Sequence, residues 1–254
     1  MTLASRRLCA AAALLYSVWI LYPLVNRELH PWTSFVSEYF VADLPGATVL
    51  RTVDGVAGVV LAGVTAFSYA RLRTLWRALS NGMRGTQSAR QVISSRNRAA
   101  VRVWCAGLGV AGLATVVDAV NPLVCAASLS PECAAAESAG TLPLQHQVHL
   151  FSSGAAGLGF IAAMAATLVL STRADRLVRI LSWAGIVLIV FSGVDALVPQ
   201  LPTHGISQRL SMVAIAVWLI AAAGVPVAQR LRSRDSGTSS SGPAASTRGP
   251  EVTA

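Results

Sequence analysis

The sequence predicts an all-α, polytopic membrane bundle of six transmembrane helices with both termini in the cytoplasm. Three observations carry this: six apolar blocks of near-spanning length, a scarcity of charge, and a one-sided placement of arginine. Apolar residues make up 54% of the 254 and charged residues 12%, against roughly 25% charged in a soluble domain.

The blocks lie at about 8–25, 52–70, 101–120, 148–171, 180–197 and 210–228. At 1.5 Å rise per residue each can cross a hydrocarbon layer of ~30 Å. In lipid the backbone must satisfy its own hydrogen bonds, so each block is read as a helix. The first follows Arg6 and Arg7, a start shared with signal peptides. Tyr22-Pro23-Leu24-Val25-Asn26 offers no small-x-small cleavage site, so a retained helix is predicted.

Orientation comes from arginine. All twenty basic residues are Arg, and seventeen fall at the N-terminus, in 71–102, in 173–179 or after 229. Cytoplasmic segments carry such an excess. The exceptions are Arg27, Arg51 and Arg209. The net charge of +9 is thus a topology signal, and no nucleic-acid partner is predicted. The loop 71–98 contains no acid. Its Leu72, Leu75, Trp76 and Leu79 share a helical face, which suits either the inner headgroup layer or a plain cytoplasmic loop. Residues 1–232 form the membrane domain. The Ser/Gly/Pro-rich stretch 233–254 is predicted to be a disordered cytoplasmic tail.

The remaining polar chemistry falls on the predicted outer side. All four histidines (His30, His146, His149, His204) lie there, with eight of eleven acids: Glu28, Glu38, Asp43, Asp54, Asp118, Glu132, Glu137 and Asp195. Asp54 is placed at the start of the second span, Asp118 and Asp195 near the ends of the third and fifth. Ionisable groups at membrane depth usually face a bundle interior or a wet cavity. The pattern predicts an outward polar cavity lined by Asp54, Asp118, Asp195, His149 and Arg209, with Ser37 and Glu38 covering the opening. Asp118 is expected within reach of His149, and Asp195 within reach of Arg209. Glu132 and Glu137 are assigned to a flexible outer loop.

A short internal repeat supports the cavity. Asp118-Ala-Val-Asn-Pro122 and Asp195-Ala-Leu-Val-Pro199 occupy equivalent places. Each is followed by Leu-Pro (Leu142-Pro143, Leu201-Pro202), a His (His146, His204) and a new helix. A proline at i+4 lacks the N–H that would have bonded the Asp carbonyl. A carboxylate near a helix C-terminus also meets the unfavourable end of the dipole. Both aspartates should therefore seek a cation or donor. Cys125 and Cys133 share an outer loop and are expected to form a disulfide. Small residues (Gly107, Gly109, Gly112; Ser153, Gly154, Gly157, Gly159) form stripes suited to close helix packing within one bundle.

Two readings of the polar cluster stay open. As a catalytic set, His149 with Asp118 and Asp195 acts as acid and base or holds a metal, with Ser37 or a metal-bound water as nucleophile. As a structural set, it is a group of buried ion pairs and caps that fix helix register. The chain has no nucleophile elbow, His-Glu-x-x-His, P-loop or Gly-x-Gly-x-x-Gly, and the sequence does not specify a cofactor.

Trp32-Thr33-Ser34-Phe35-Val36-Ser37-Glu38-Tyr39, then Pro45 and a Gly-containing second span, resembles the Ser-x-x-Ile-Ser-Glu-Leu-Gly stretch of a bacterial and archaeal membrane family, domain of unknown function 998. Asp118…Pro122, His149 opening the fourth span and Gly205-x-x-x-Arg209-Leu210 opening the sixth look like its other recurring positions. The resemblance covers about 8–228, with Tyr39-Phe40 in place of Leu-Gly. A looser likeness is to DRAM-like six-helix membrane proteins. The resemblance implies six helices in a bacterial cytoplasmic membrane and no particular reaction. Two functions are carried forward. The first is binding or organising a lipid or other envelope component through the cavity. The second is an intramembrane hydrolase or transferase acting on a lipid headgroup.

Overall fold

A computed structural model of the protein describes residues 3–82, 95–172, 174–198 and 203–223. The tail 233–254, the 199–202 stretch of the repeat, and the side chains of Leu72, Leu75, Trp76 and Leu79 lie outside what it describes. The described residues are mostly helical, with no strand among them, and six spans are long and apolar enough to cross a membrane.

The first span is broken. Helix α1 (Leu3–Leu15) gives way to a 3-10 turn at Val18–Leu21 and a short α2 (Tyr22–Val25). Pro23 has no N–H for the Trp19 carbonyl, which instead accepts from Tyr22 one residue earlier. Helix α3 (Ala47–Gly82) has 36 residues, about 54 Å at helical rise. It therefore runs well past one hydrocarbon thickness, and the segment from 71 to 82 is its continuation. No Gly or Pro between 64 and 81 interrupts it. Helix α4 spans Ser95–Val120. A short α5 (Pro131–Ser138) follows, then α6 (Leu144–Leu170), α7 (Arg176–Ala196) and α8 (His204–Ala223).

The six spanning helices form a ring in chain order. Helix α1 packs on α3, α3 on α4, α4 on α6, α6 on α7, α7 on α8, and α8 returns to α1. Short connections favour such neighbours. The ring is filled by Leu61, Leu108, Phe160, Met164, Trp218 and Leu219. Polar side chains stitch it together. Tyr16 hydroxyl meets Thr115 Oγ1 at 2.7 Å, and Trp218 Nε1 donates to Ser182 Oγ at 3.1 Å. Helices α4 and α6 approach most closely at Gly107 and Gly159, where a Cβ on either would lie 2.6 Å from the other's carbonyl oxygen. Gly107, Gly112 and Gly159 of the glycine stripes thus serve packing inside the bundle, while Gly154 faces open space.

At one end of the ring, residues 26–46 fold inward as a cap. Leu29, Val36, Tyr39, Phe40 and Val41 are buried, and they pack with Tyr22, Leu50, Leu123 and Ala126 into a second apolar core. The segment after α4 sits at the same end. It is not a flexible loop as expected from sequence: Ser130 caps α5 by accepting from Cys133 N, Pro131 starts it, and Cys133 is bonded to Cys125. The expected disulfide is present.

Candidate functional site

Helix ends are displaced from the sequence estimates, and this moves the polar residues. Helix α3 begins at Ala47, so Asp54 lies two turns in rather than at its start. Helix α6 begins at Leu144, so His149 is in its second turn, as is Arg209 in α8. Pro143 is the N-cap of α6, and the first helical turn follows directly after it.

Asp118 builds the first unit. Its carboxylate accepts from Ser152 Oγ and, at 2.7 Å, from Ser153 Oγ. His149 Nδ1 lies 3.9 Å from the same carboxylate. The imidazole is bound through the backbone: Nδ1 is 2.9 Å from the Asn121 carbonyl and 3.3 Å from that of Asp118. Carbonyls only accept, so Nδ1 carries the proton. Pro122 explains the arrangement, because it leaves the Asp118 carbonyl without an i+4 donor. In the neutral ring Nε2 is then an acceptor, and it is buried with no partner among the described residues.

Asp195 builds the second unit, buried to 1% exposure. It accepts from Thr203 Oγ1 at 2.7 Å and Ser207 Oγ at 2.5 Å, with His204 Nδ1 at 3.5 Å. The two units correspond closely. Each has an aspartate at a helix end and a His-x-x-Ser on the helix that follows: His149 and Ser152, then His204 and Ser207. Each histidine also touches a cap phenylalanine. Phe40 meets His149 edge-on at 6.5 Å, and Phe35 stacks on His204 at 4.9 Å. The sequence alignment of His146 with His204 is therefore corrected; His149 is the equivalent position. The signal was available in the serine three residues on, which the Leu-Pro spacing masked.

Arg209 does not pair with Asp195. It turns to the cap, donating through Nη1 to the carbonyls of Ser34 and Gly205, both at 2.9 Å. Its guanidinium carbon lies 5.9 Å from the ring centroids of both Trp19 and Tyr39, in cation–π range. Nη2 is buried without a partner. The reason is competition: Asp195 already has two hydroxyl donors, Thr203 just before α8 and Ser207 in its first turn, and the cap presents carbonyls to the arginine. Gly205 permits that approach, since a Cβ there would lie 2.5 Å from Pro31 O and 2.6 Å from Ser34 O.

The cap itself is latched by Glu38, which is 2% exposed. Its carboxylate accepts from Phe35 N at 2.9 Å, Ser128 N at 2.8 Å and Ser128 Oγ at 2.6 Å. Ser34 Oγ, 2.8 Å from Ser128 Oγ and receiving His30 N, continues the chain. Burial raises the Glu38 pKa, and the bonds from Ser128 and Phe35 oppose that rise. Gln208 Oε1 accepts from Val36 N at 2.5 Å, tying the cap to α8.

The other candidates separate from these units. Ser37 is half-buried and joins neither aspartate by a hydrogen bond; Ser34 and Ser128 hold the polar positions instead. Asp54 lies within electrostatic range of Asp118 but is not bonded to either unit. His146 is fully buried and pairs with Glu137 at 2.9 Å, so Glu137 is an anchored residue rather than a loop charge. Among the described residues no three His, Cys, Asp or Glu side chains gather as a metal site.

The family described as Protein of unknown function (DUF998) matches residues 9–225, nearly the whole helical bundle. The chain belongs to the DUF998 family. Both Asp–His–Ser units and the cap fall inside the DUF998 match. No curated protein and no solved structure matches the chain.

Proposed function

We propose that this DUF998 protein binds a lipid or other envelope component at the capped polar end of its bundle. One observation carries the reading. Beneath the cap, His149 Nε2 and Arg209 Nη2 are buried and bonded to nothing among the described residues. A buried polar atom without a partner costs about 1–3 kcal/mol, and a ligand with both donor and acceptor groups would offset that cost at each. The apolar walls beside them, Trp19, Tyr22, Tyr39 and Phe40, suit the stem of an amphiphile. Membrane lipids are thus the partner class we infer.

The alternative, hydrolysis or transfer on a headgroup, has weaker support. Ser152 and Ser207 donate to aspartates instead of to imidazoles, so neither forms the Ser–His pair that activates a serine nucleophile. We further infer a bacterial cytoplasmic membrane, with the capped end on the non-cytoplasmic side. The arginine distribution supports that orientation, as does a disulfide at the same end.

The test is native mass spectrometry of protein purified in mild detergent, with lipid identification. Wild type should retain one class of membrane lipid. His149→Ala and Arg209→Lys, checked for monodispersity, should lose it at least about tenfold, the factor expected for ~1.4 kcal/mol. Wild type without retained lipid, or variants retaining it fully, would refute the proposal.

A further inference from the structure

We propose that the Cys125–Cys133 disulfide is a redox strap: opening it by thiol–disulfide exchange releases Ser128 from Glu38 and frees the cap. This inference does not depend on lipid binding, because it concerns what holds residues 26–46 down.

The geometry is direct. Ser128 lies between the two bridged cysteines and supplies two of the three donors to the buried Glu38 carboxylate. Ser128 is otherwise exposed, so burial of its own side chain does not hold it there. Among the described residues, the turn that carries it has Leu129 N and Ser130 N bonded back to Ala126 O, and Ala126 itself is buried against the cap. The helix that follows, α5, has eight residues, too few to be stable alone. The covalent bridge therefore adds to the packing of Ala126 in holding Ser128 against Glu38. At the far end Glu137 still binds His146, so opening the bridge should loosen the cap locally and leave the helices packed.

The exchange step needs a dithiol reductant. Its thiolate attacks Sγ of Cys125, the half-buried partner, while Cys133 is buried. The S–S bond breaks, and Cys133 leaves as a thiolate and takes a proton. The reductant's second thiol then attacks the mixed disulfide, releasing Cys125, which is protonated in turn. The protein gains two electrons and two protons, and the reductant leaves as its disulfide. With the bridge open, Ser128 can swing away and Glu38 keeps only the Phe35 N–H. A carboxylate buried to this degree with one donor favours water, so the 3-10 turn at Val36–Phe40 should lift.

Hydrogen exchange read by mass spectrometry on the full chain in lipid nanodiscs tests this, with dithiothreitol as the probe. Reduction should speed exchange at Phe35, Val36 and Glu38 by about tenfold or more, while α6 and α7 stay protected. Ser128→Ala in the oxidised protein loses the Oγ donor but keeps the N–H, so it should speed the same amides partway and leave a smaller further response to dithiothreitol. Three results would overturn the proposal: a cap that stays protected once alkylation shows both thiols free, a bridge that resists dithiothreitol in the folded protein, or loosening spread equally over α6 and α7. The double variant Cys125→Ser, Cys133→Ser provides a second arm. It should show a fast-exchanging cap without any reductant, and a protected cap in it also overturns the strap.

Discussion

Replacing Asp118 by alanine deletes the acceptor of two serine hydroxyls, while the His149 ring beside it keeps its backbone carbonyls. Ser153 has no other bond to fall back on, whereas Ser152 lies 2.8 Å from the Val148 carbonyl and can donate there instead. A hydrogen bond to a charged group contributes roughly 1.5–3 kcal/mol. The loss at Ser153 is then complete and that at Ser152 partial, which gives about 2–4 kcal/mol for Asp118→Ala. Asparagine keeps one acceptor oxygen but turns an N–H₂ toward the other hydroxyl, which must rotate, so Asp118→Asn should cost about 1–2 kcal/mol. At roughly 2–4 °C per kcal/mol for a chain of this size, the alanine variant should melt roughly 4–16 °C below wild type. The assay is thermal unfolding of purified protein in detergent, followed by loss of the monodisperse peak. An alanine variant melting within about 2 °C of wild type would show that the carboxylate is not a structural acceptor. Were asparagine as stable as wild type but devoid of retained lipid, the group would act on the ligand rather than on the fold.

Glu137→Ala should lower thermal stability because it leaves Nε2 of the fully buried His146 ring without its partner, Nδ1 keeping the Val124 N–H; Glu132→Ala, at an exposed position, should melt with wild type in the same assay. Gly159→Leu should abolish monodisperse protein in size-exclusion chromatography, since a Cβ there already meets Gly107 O at 2.6 Å and Ala111 N at 2.7 Å, while Gly154→Ala, with open space around it, should be tolerated. The Glu38 pKa is raised by burial above its ordinary 4.5. The folded state therefore binds that proton more tightly than the unfolded one, so this group's contribution is full below about 4.5 and declines as pH rises through the folded value. Comparing melting curves of wild type and Glu38→Gln between pH 4 and 7 checks this; the difference should shift against wild type as pH rises, and a flat difference would contradict it.

Six spans, their order and the disulfide were legible from residue order alone. Block length and charge scarcity are local properties, and a bilayer of fixed thickness turns them into helices. The Asp118 motif was legible for a similar reason, because Pro122 frees a carbonyl wherever the helix lies, and His149 docks on it. Rotation of each helix about its axis was not legible. It is set by packing between residues far apart in sequence, as where Gly107 meets Gly159. That rotation decided that His149 rather than His146 matches His204, and that Arg209 faces Ser34 and not Asp195. A cover over the opening was expected from Ser37 and Glu38, but what holds the cap belongs to the tertiary structure. Glu38 finds Ser128 ninety residues away, through a contact for which no helical or strand period leaves a trace. A loop with Leu29, Val36, Tyr39 and Phe40 has apolar surface to bury, and only the assembled ring offers a place to bury it.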